Sequence, residues 1–368
     1  MKTLSRLVHV EIVQAVFLVV AGFLGLFVFF DLVEELKAVN SYGAMGYNLA
    51  IASGYVALSM PSHLYELLPI GVLIGTIFVM SRMAQRSEFT VLRTSGLSPR
   101  RALTALIAIG SLFMIMTFMI GDYLSPMADR QASILKTRFT GGQTSLKTGA
   151  WLKERQADRH FVINVQSMLA DGELAGIQLF EFHENGDIGR LAYAARGRID
   201  QDDSWVLQDV DQIEFGASSA SSSTVTRQKL QTWKWPNKIN ADMISATLQD
   251  PERMNTISLY QYISHLRAND QDSQKFEIVF WRKVFYPLSC LVMVVLSLPF
   301  AYLHHRSGSI AGQVFVGVIV GISFFLLNNL FGYIGTLNQW QPWLASALPS
   351  LMYSLVSLSA FAWLVLRH

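Results

Sequence analysis

Three stretches carry residue types that can do chemistry. Gly141-Gly-Gln-Thr-Ser-Leu-Lys147-Thr148 has the outline of a phosphate-binding loop, but Leu146 stands where a glycine is needed before the lysine. Nucleotide chemistry is therefore not expected there. His304-His305 offers two imidazoles, yet sequence neighbours rarely converge on one ion, and no acidic or sulfur ligand lies close by. An interfacial loop is the simpler reading of that pair. Glu66, inside an apolar run, has the character of a proton-relay acid or of a paired acid reaching for the interface. No nucleophile, base and oxyanion donor can be assembled. The chain is expected not to be an enzyme and to hold no metal. Its net charge of +2 gives no reason to expect nucleic acid.

A different kind of site lies at residues 82–101, where five of the 29 Lys and Arg residues and one acid, Glu88, fall within twenty positions between two runs that carry almost no charge. Ser87 is a good N-cap, Glu88 then occupies a first turn whose dipole favours an acid, and Gly96 is placed to end the helix. Ser98-Pro99 restarts one. The spacing predicts a short helix from about Glu88 to Thr94 with Phe89, Val91 and Leu92 as an apolar stripe. A solvated basic loop needs neither caps nor an exposed hydrophobic face. Such a helix suits docking into a groove on a soluble motor.

The elements that hold this stretch are membrane spans. Apolar residues make up 51% of the 368, and mean hydropathy is +0.33, too high for an ordinary soluble protein. Runs at 12–30, 56–80, 102–120, 284–303, 310–331 and 343–366 each read as one helix across a bilayer. The first lacks a cleavage pattern and is kept as helix one. A Gly, Tyr and Asn-rich loop is expected after it. Pro61 and Pro69 interrupt helix two. The lone cysteine, Cys290, lies in helix four and reads as a small buried hydrophobe. Gly71-x-x-x-Gly75 and Gly317-x-x-x-Gly321 let helices approach closely, within one bundle or against a partner. Phe23, Phe27 and Phe30 recur along helix one and face either lipid or an acyl cavity.

Lys2, Arg6, the five arginines of 82–101, Arg306 and Arg367 collect on one side, and only Lys37 occupies a short loop on the other. By the positive-inside rule both termini are cytoplasmic and the large insert lies outside, in a bacterium the periplasm. The insert reads as all-β. Short, partly alternating segments at 160–166, 177–182, 191–196, 205–210 and 230–235 are divided by turn signals, as in a sandwich or jelly roll. Ser218 to Thr226 reads as a loop, and a helical repeat near 256–268 leads back to the membrane. The fold class is an α-helical membrane protein with six transmembrane helices and an inserted all-β, jellyroll-like periplasmic domain. Its parts are 1–124 with the coupling helix at 82–101, 125–276 for the β domain, and 277–368.

Ala84-Gln-Arg-Ser-Glu88, Leu92-Arg93 and Ser95-Gly96 resemble the coupling-helix signature of the LptF/LptG permease family, the membrane subunits of the lipopolysaccharide-export ABC transporter. The likeness covers nearly the whole chain, including Phe280-Trp-Arg-Lys-Val-Phe-Tyr-Pro-Leu-Ser289 at the start of helix four, and is greater to the LptG member than to LptF. The resemblance implies an LptF-like heterodimer partner, a dimeric LptB-like ATPase that carries ATP and magnesium, and an LptC-like single-span protein. It further implies a periplasmic LptA-like bridge and lipopolysaccharide as cargo, with no cofactor in this chain. Glu88, Phe89, Val91, Leu92, Arg93 and Gly96 would then be the coupling surface, with Glu88 in the ATPase groove.

Lipid A is a multiply acylated phosphosugar, so its site calls for an apolar wall with cations at headgroup level. Lys37, Arg130, Lys136, Arg138, Arg282 and Lys283 fit that level. Arg282 and Lys283 run against the topology bias, and such a site would explain them. Where the family can carry a basic residue in outer helix one, this chain has Phe29, Phe30 and Asp31. A lipid-modifying enzyme would need a reactive cluster at one membrane face, and none is visible. A mechanotransmission-type ABC permease, or the LptF paralogue of the same complex, is the alternative.

Overall fold

The computed structural model describes residues 2–88, 91, 99–139, 149–156, 159–168, 172–183, 186–200, 204–215, 225–237, 239, 243–244, 251–302 and 309–367. The chain forms two compact units. The first comprises Met1–Lys37, Val56–Asp129 and Gln274–His368, and the second Ala38–Tyr55 and Arg130–Ser273. The sequence gives no hint that residues 38–55 group with the insert.

In the first unit, α1 (Lys2–Tyr42) and α2 (Leu49–Gln85) are far longer than their apolar cores. The 41 residues of α1 make a rod of roughly 60 Å, twice the ~30 Å hydrocarbon thickness. The loop expected after helix one shrinks to a single 3-10 turn, Gly43–Met45, closed by Gly46 at φ 88. The residues between Asp31 and Lys37 are good helix formers and carry the helix past the hydrophobic run.

The third span, α3 (Pro99–Met119), does not stop at Gly121-Asp122. It passes through a π-turn, Ile120–Leu124, into α4 (Ser125–Phe139). Helix four is two pieces, α6 (Gln274–Phe285) and α7 (Leu288–Leu296), the latter followed by the short α8 (Leu298–Tyr302). The break between α6 and α7 bends the span by 50°. Pro287 has no N–H to continue the ladder, which locates the bend. The last spans are α9 (Ile310–Leu337) and α10 (Pro342–Arg367). Among the described residues five helices are long and apolar enough to cross a membrane, or six with the bent pair counted as one.

The central helix of this unit is α2, for 83% of its apolar window is buried, against 11% for α1. Small residues decide which helices it touches. A Cβ at Gly75 would lie 2.7 Å from the Val16 nitrogen, and one at Gly71 would strike the Val20 side chain, so α1 rides directly on α2. On another side Gly317 and Gly321 of α9 lie against Ile77 and Ile70 of α2. Gly317 and Gly321 thus pack within the chain, the first of the two uses their spacing allows. Cys290 is fully buried on α7, its sulfur 3.2 Å from the Thr117 hydroxyl of α3.

In the second unit, β1 (Ala150–Gln156), β2 (Arg159–Met168), β3 (Leu174–His183), β4 (Ile188–Ile199), β5 (Ser204–Phe215) and β6 (Val225–Pro236) form one antiparallel sheet in chain order. The all-β insert stands, and its described strands join as a meander, not as two facing sheets. Strand β1 escapes the sequence reading because its inward positions are Ala150, Leu152 and the buried Glu154. The register lines up Leu152, Ile163, Leu179 and Ala192 as a row across four strands. Trp205 and Trp235 pair across β5 and β6, and the Trp205 indole donates to the Ile239 carbonyl at 2.8 Å. The loop expected at Ser218 to Thr226 lies mostly outside the described residues, and β6 takes its last two.

A helix, α5 (Thr256–Ala268), is capped by Asn255, whose side chain accepts from the Ser258 amide at 2.7 Å. Asn269, just past its end, accepts from the Arg155 amide of β1 at 2.8 Å, which occupies part of that edge strand. Half-buried His265 contacts the Lys153 backbone, and burial pushes its pKa below the usual 6.5. The unfolded chain then takes up protons before the folded one. The stability tied to neutral His265 is complete above pH 6.5 and is lost as pH falls below it. Unfolding followed by tryptophan emission between pH 8 and pH 5 should show the midpoint falling on acidification, and a His265→Gln chain should show a smaller fall.

Candidate functional site

The turn after α2 is built from the end of a buried rod. The Arg86 amide donates to the Arg82 carbonyl at 3.0 Å, and the Ser87 amide tightens to the Ala84 carbonyl at 3.1 Å. Ser87 then takes a left-handed φ of 57. Its carbonyl accepts from the Val91 amide at 3.0 Å, the first bond of a new turn. Ser87 thus stands where an N-cap is expected but in the conformation that closes a helix, so one residue ends α2 and starts the next turn. Glu88 is exposed, its carboxylate 3.8 Å from the Arg86 guanidinium, and Val91 is exposed as well. Phe89, Leu92, Arg93 and Gly96, the remaining coupling residues, lie outside the described residues. So do the Gly141 to Thr148 stretch and His304-His305.

At the other end of the same helices polar side chains meet inside the first unit. His63 of α2 lies 2.6 Å from the Asp31 carboxylate of α1, with the Phe27 ring 5.0 Å from the imidazole. The Ser62 hydroxyl bridges Ser125 at 2.7 Å and donates to Asp129 at 2.8 Å. Tyr286, at the bend between α6 and α7, donates to the Glu66 carbonyl at 2.6 Å, while the Glu66 side chain itself is exposed. Asp31, the departure noted in helix one, therefore has a partner on α2. Sequence reading missed these pairs because each joins residues on different spans. The available signal was polar residues at 62, 63 and 66 beside the proline at 61.

The six cations assigned to headgroup level divide between the units. Lys37, Arg282 and Lys283 belong to the first, and Arg130, Lys136 and Arg138 to the second. Lys37, Arg130 and Arg138 are exposed. Lys136 is half-buried, its ammonium 4.5 Å from the centre of the Tyr55 ring. Arg282 packs against Gly332 of α9, where a Cβ would collide with its guanidinium. Lys283 is 8% exposed and donates to the Gly121 carbonyl in the π-turn at 3.2 Å. Its charge is turned into the bundle, which accounts for a lysine that runs against the topology bias. Among the described residues no cluster of three or more His, Cys, Asp or Glu could hold a metal.

A bundle of membrane-length helices around one buried rod, an all-β insert and an exposed charged turn at the rod's end define a multi-pass membrane protein that carries a β domain. The chain belongs to the family of the lipopolysaccharide export system permease LptF/LptG, whose model matches residues 6–367. It is similar to the lipopolysaccharide export system permease protein LptG of Escherichia coli (strain K12), 26% identical over 340 residues that cover 91% of this chain and 90% of that protein. It is also similar to the protein of that name from Haemophilus influenzae, 25% identical over 354 residues, 95% of this chain and 96% of the relative.

Proposed function

We propose that this chain is the permease subunit through which a separate cytoplasmic ATPase drives lipopolysaccharide out of the outer leaflet of the inner membrane and on to a periplasmic bridge. In this reading both termini and the turn after α2 are cytoplasmic, and the β domain is periplasmic. The partners are an LptF-like permease, a dimeric LptB-like ATPase, an LptC-like single-span protein and an LptA-like bridge. ATP and magnesium reside on the ATPase.

The observation that carries the reading is the continuity of α2 with the exposed turn. The 37 residues of α2 form a rod of roughly 55 Å. One end carries Glu88 and Val91. Farther along, the rod bears Ile77, Gly75, Gly71 and Ile70, where α1 and α9 are seated, and then Glu66 and His63. A displacement applied at the turn is delivered to the helices packed on α2, because close-packed interfaces are stiff. Lys37, Arg130, Lys136, Arg138 and Arg282 are the cations proposed for the lipid A phosphates. Lys283 is left out for the internal bond described above.

Reconstituted in vesicles with the ATPase, the partner permease and lipopolysaccharide, the chain should release lipopolysaccharide to a soluble periplasmic acceptor when ATP is added. ATP hydrolysis without any release would leave the mechanotransmission reading in its place.

A further inference from the structure

Tyr286 is held at both ends. It stands in the break between α6 and α7, where Pro287 removes a rung of the helical ladder. Ser289 grips its carbonyl twice, donating its amide at 3.0 Å and its hydroxyl at 2.5 Å. The Tyr286 amide still donates to the Arg282 carbonyl of α6 at 2.8 Å. At the far end of the ring, the hydroxyl donates across to the Glu66 carbonyl of α2 at 2.6 Å. The ring between these two anchors is buried, 4.9 Å from that of Tyr65 and 6.4 Å from that of Phe324 on α9.

The carbonyl it reaches belongs to a second turn opened by proline. Pro69 stands inside α2 with no N–H to give the Tyr65 carbonyl four residues back, and its ring crowds that turn. Each proline removes a hydrogen bond from its helix, so each marks a place where the rod bends more readily than elsewhere. One hydroxyl ties the two places together. Flexing α2 at Pro69 then pulls on Tyr286, and through the Arg282 carbonyl it pulls on the end of α6. Arg282 is the cation whose guanidinium packs against Gly332 of α9. A tyrosine that only fills space needs its ring; here the hydroxyl spans two helices at the soft point of each.

We propose that Tyr286 is a positioning residue of the transport cycle. Its hydroxyl couples the Pro69 turn of α2 to the Pro287 break of helix four, so that a displacement of α2 re-aims Arg282 instead of being absorbed at the break. This rests on the reading that α2 carries the stroke from the coupling turn.

The test uses the whole assembly in vesicles, the chain with its partner permease, the ATPase and lipopolysaccharide, with released lipopolysaccharide and phosphate read together. Tyr286→Phe keeps the ring and deletes the donor. It should leave ATPase attachment and ATP turnover near wild type while lipopolysaccharide released per ATP falls about fivefold, the factor set by one buried hydrogen bond of ordinary net strength. Pro69→Ala, which restores the N–H and closes the turn from the other side, should give a similar fall, and adding Tyr286→Phe to it should give little more. Para-aminophenylalanine at position 286, which keeps a donor at the end of the ring, should recover most of the ratio. A purely structural tyrosine predicts instead that the two losses multiply and that ATP turnover falls along with release. Either of those results overturns the proposal, as does an unchanged ratio in Tyr286→Phe. Failure of the coupling reading is distinct, since it would show as an assembly without its ATPase.

Discussion

A chain carrying Glu88→Lys is expected to fold and insert but to lose the ATPase on purification. The two halves of that expectation come from different observations. Glu88 is exposed, and its contact with Arg86 is 3.8 Å between two half-open side chains. Surface pairs of this kind contribute only about 0–1 kcal/mol, so the melting point in detergent should barely move. The proposed interface is another matter, because reversing a charge in a docked groove sets like charges against each other, and that costs several kcal/mol. Co-purification should therefore fall to background while thermal stability is kept. Glu88→Gln should show the milder loss. Full ATPase recovery with the lysine variant would sink the coupling assignment.

The largest stability effect is expected at Gly75. A Cβ there would lie 2.7 Å from the Val16 nitrogen and 2.8 Å from its Cα, both backbone atoms that cannot rotate away. At Gly71 the obstacle is the Val20 side chain, which can change rotamer. Overpacking costs about 1–3 kcal/mol, and occasionally more where the backbone must shift. Gly75→Ala should thus lower the detergent melting point clearly more than Gly71→Ala, and Gly75→Leu should yield little monodisperse protein by fluorescence-detected size exclusion. Equal losses at both positions would mean that α1 does not ride on α2 as described.

The membrane class, the places of the apolar runs and the all-β character of the insert are legible in the sequence because hydropathy and alternation are local. What local pattern cannot carry is where a helix ends. Hydropathy marks the portion of α1 that suits lipid, but the rod continues through Glu34, Glu35 and Lys37, which are polar and still good helix formers. The π-turn at Ile120–Leu124 fails to register for the opposite reason. Gly121-Asp122 reads as a stop, whereas the glycine is there to admit the Tyr65 ring. Strand β1 hides behind Glu154, a charged residue at an inward position. In the candidate site, the position of Ser87 at the end of α2 and the start of a new turn is legible and its left-handed backbone is not. Lys283 stands out in the sequence by running against the charge bias, but only the fold shows that it donates to a carbonyl 162 residues away.

That lysine joins two irregularities that would otherwise be unrelated. Gly121 lies in the wide turn of α3, and Lys283 lies one turn before the proline break between α6 and α7. Straightening α3 into a regular helix would re-aim the Gly121 carbonyl and take one partner from a buried ammonium, which is costly in a low-dielectric interior. Straightening the other span would carry the ammonium off. The hydrogen bond thus helps to hold each irregularity in register with the other. A genetic corollary follows: a substitution that regularises one helix should be tolerated best in a background where Lys283 has already been neutralised.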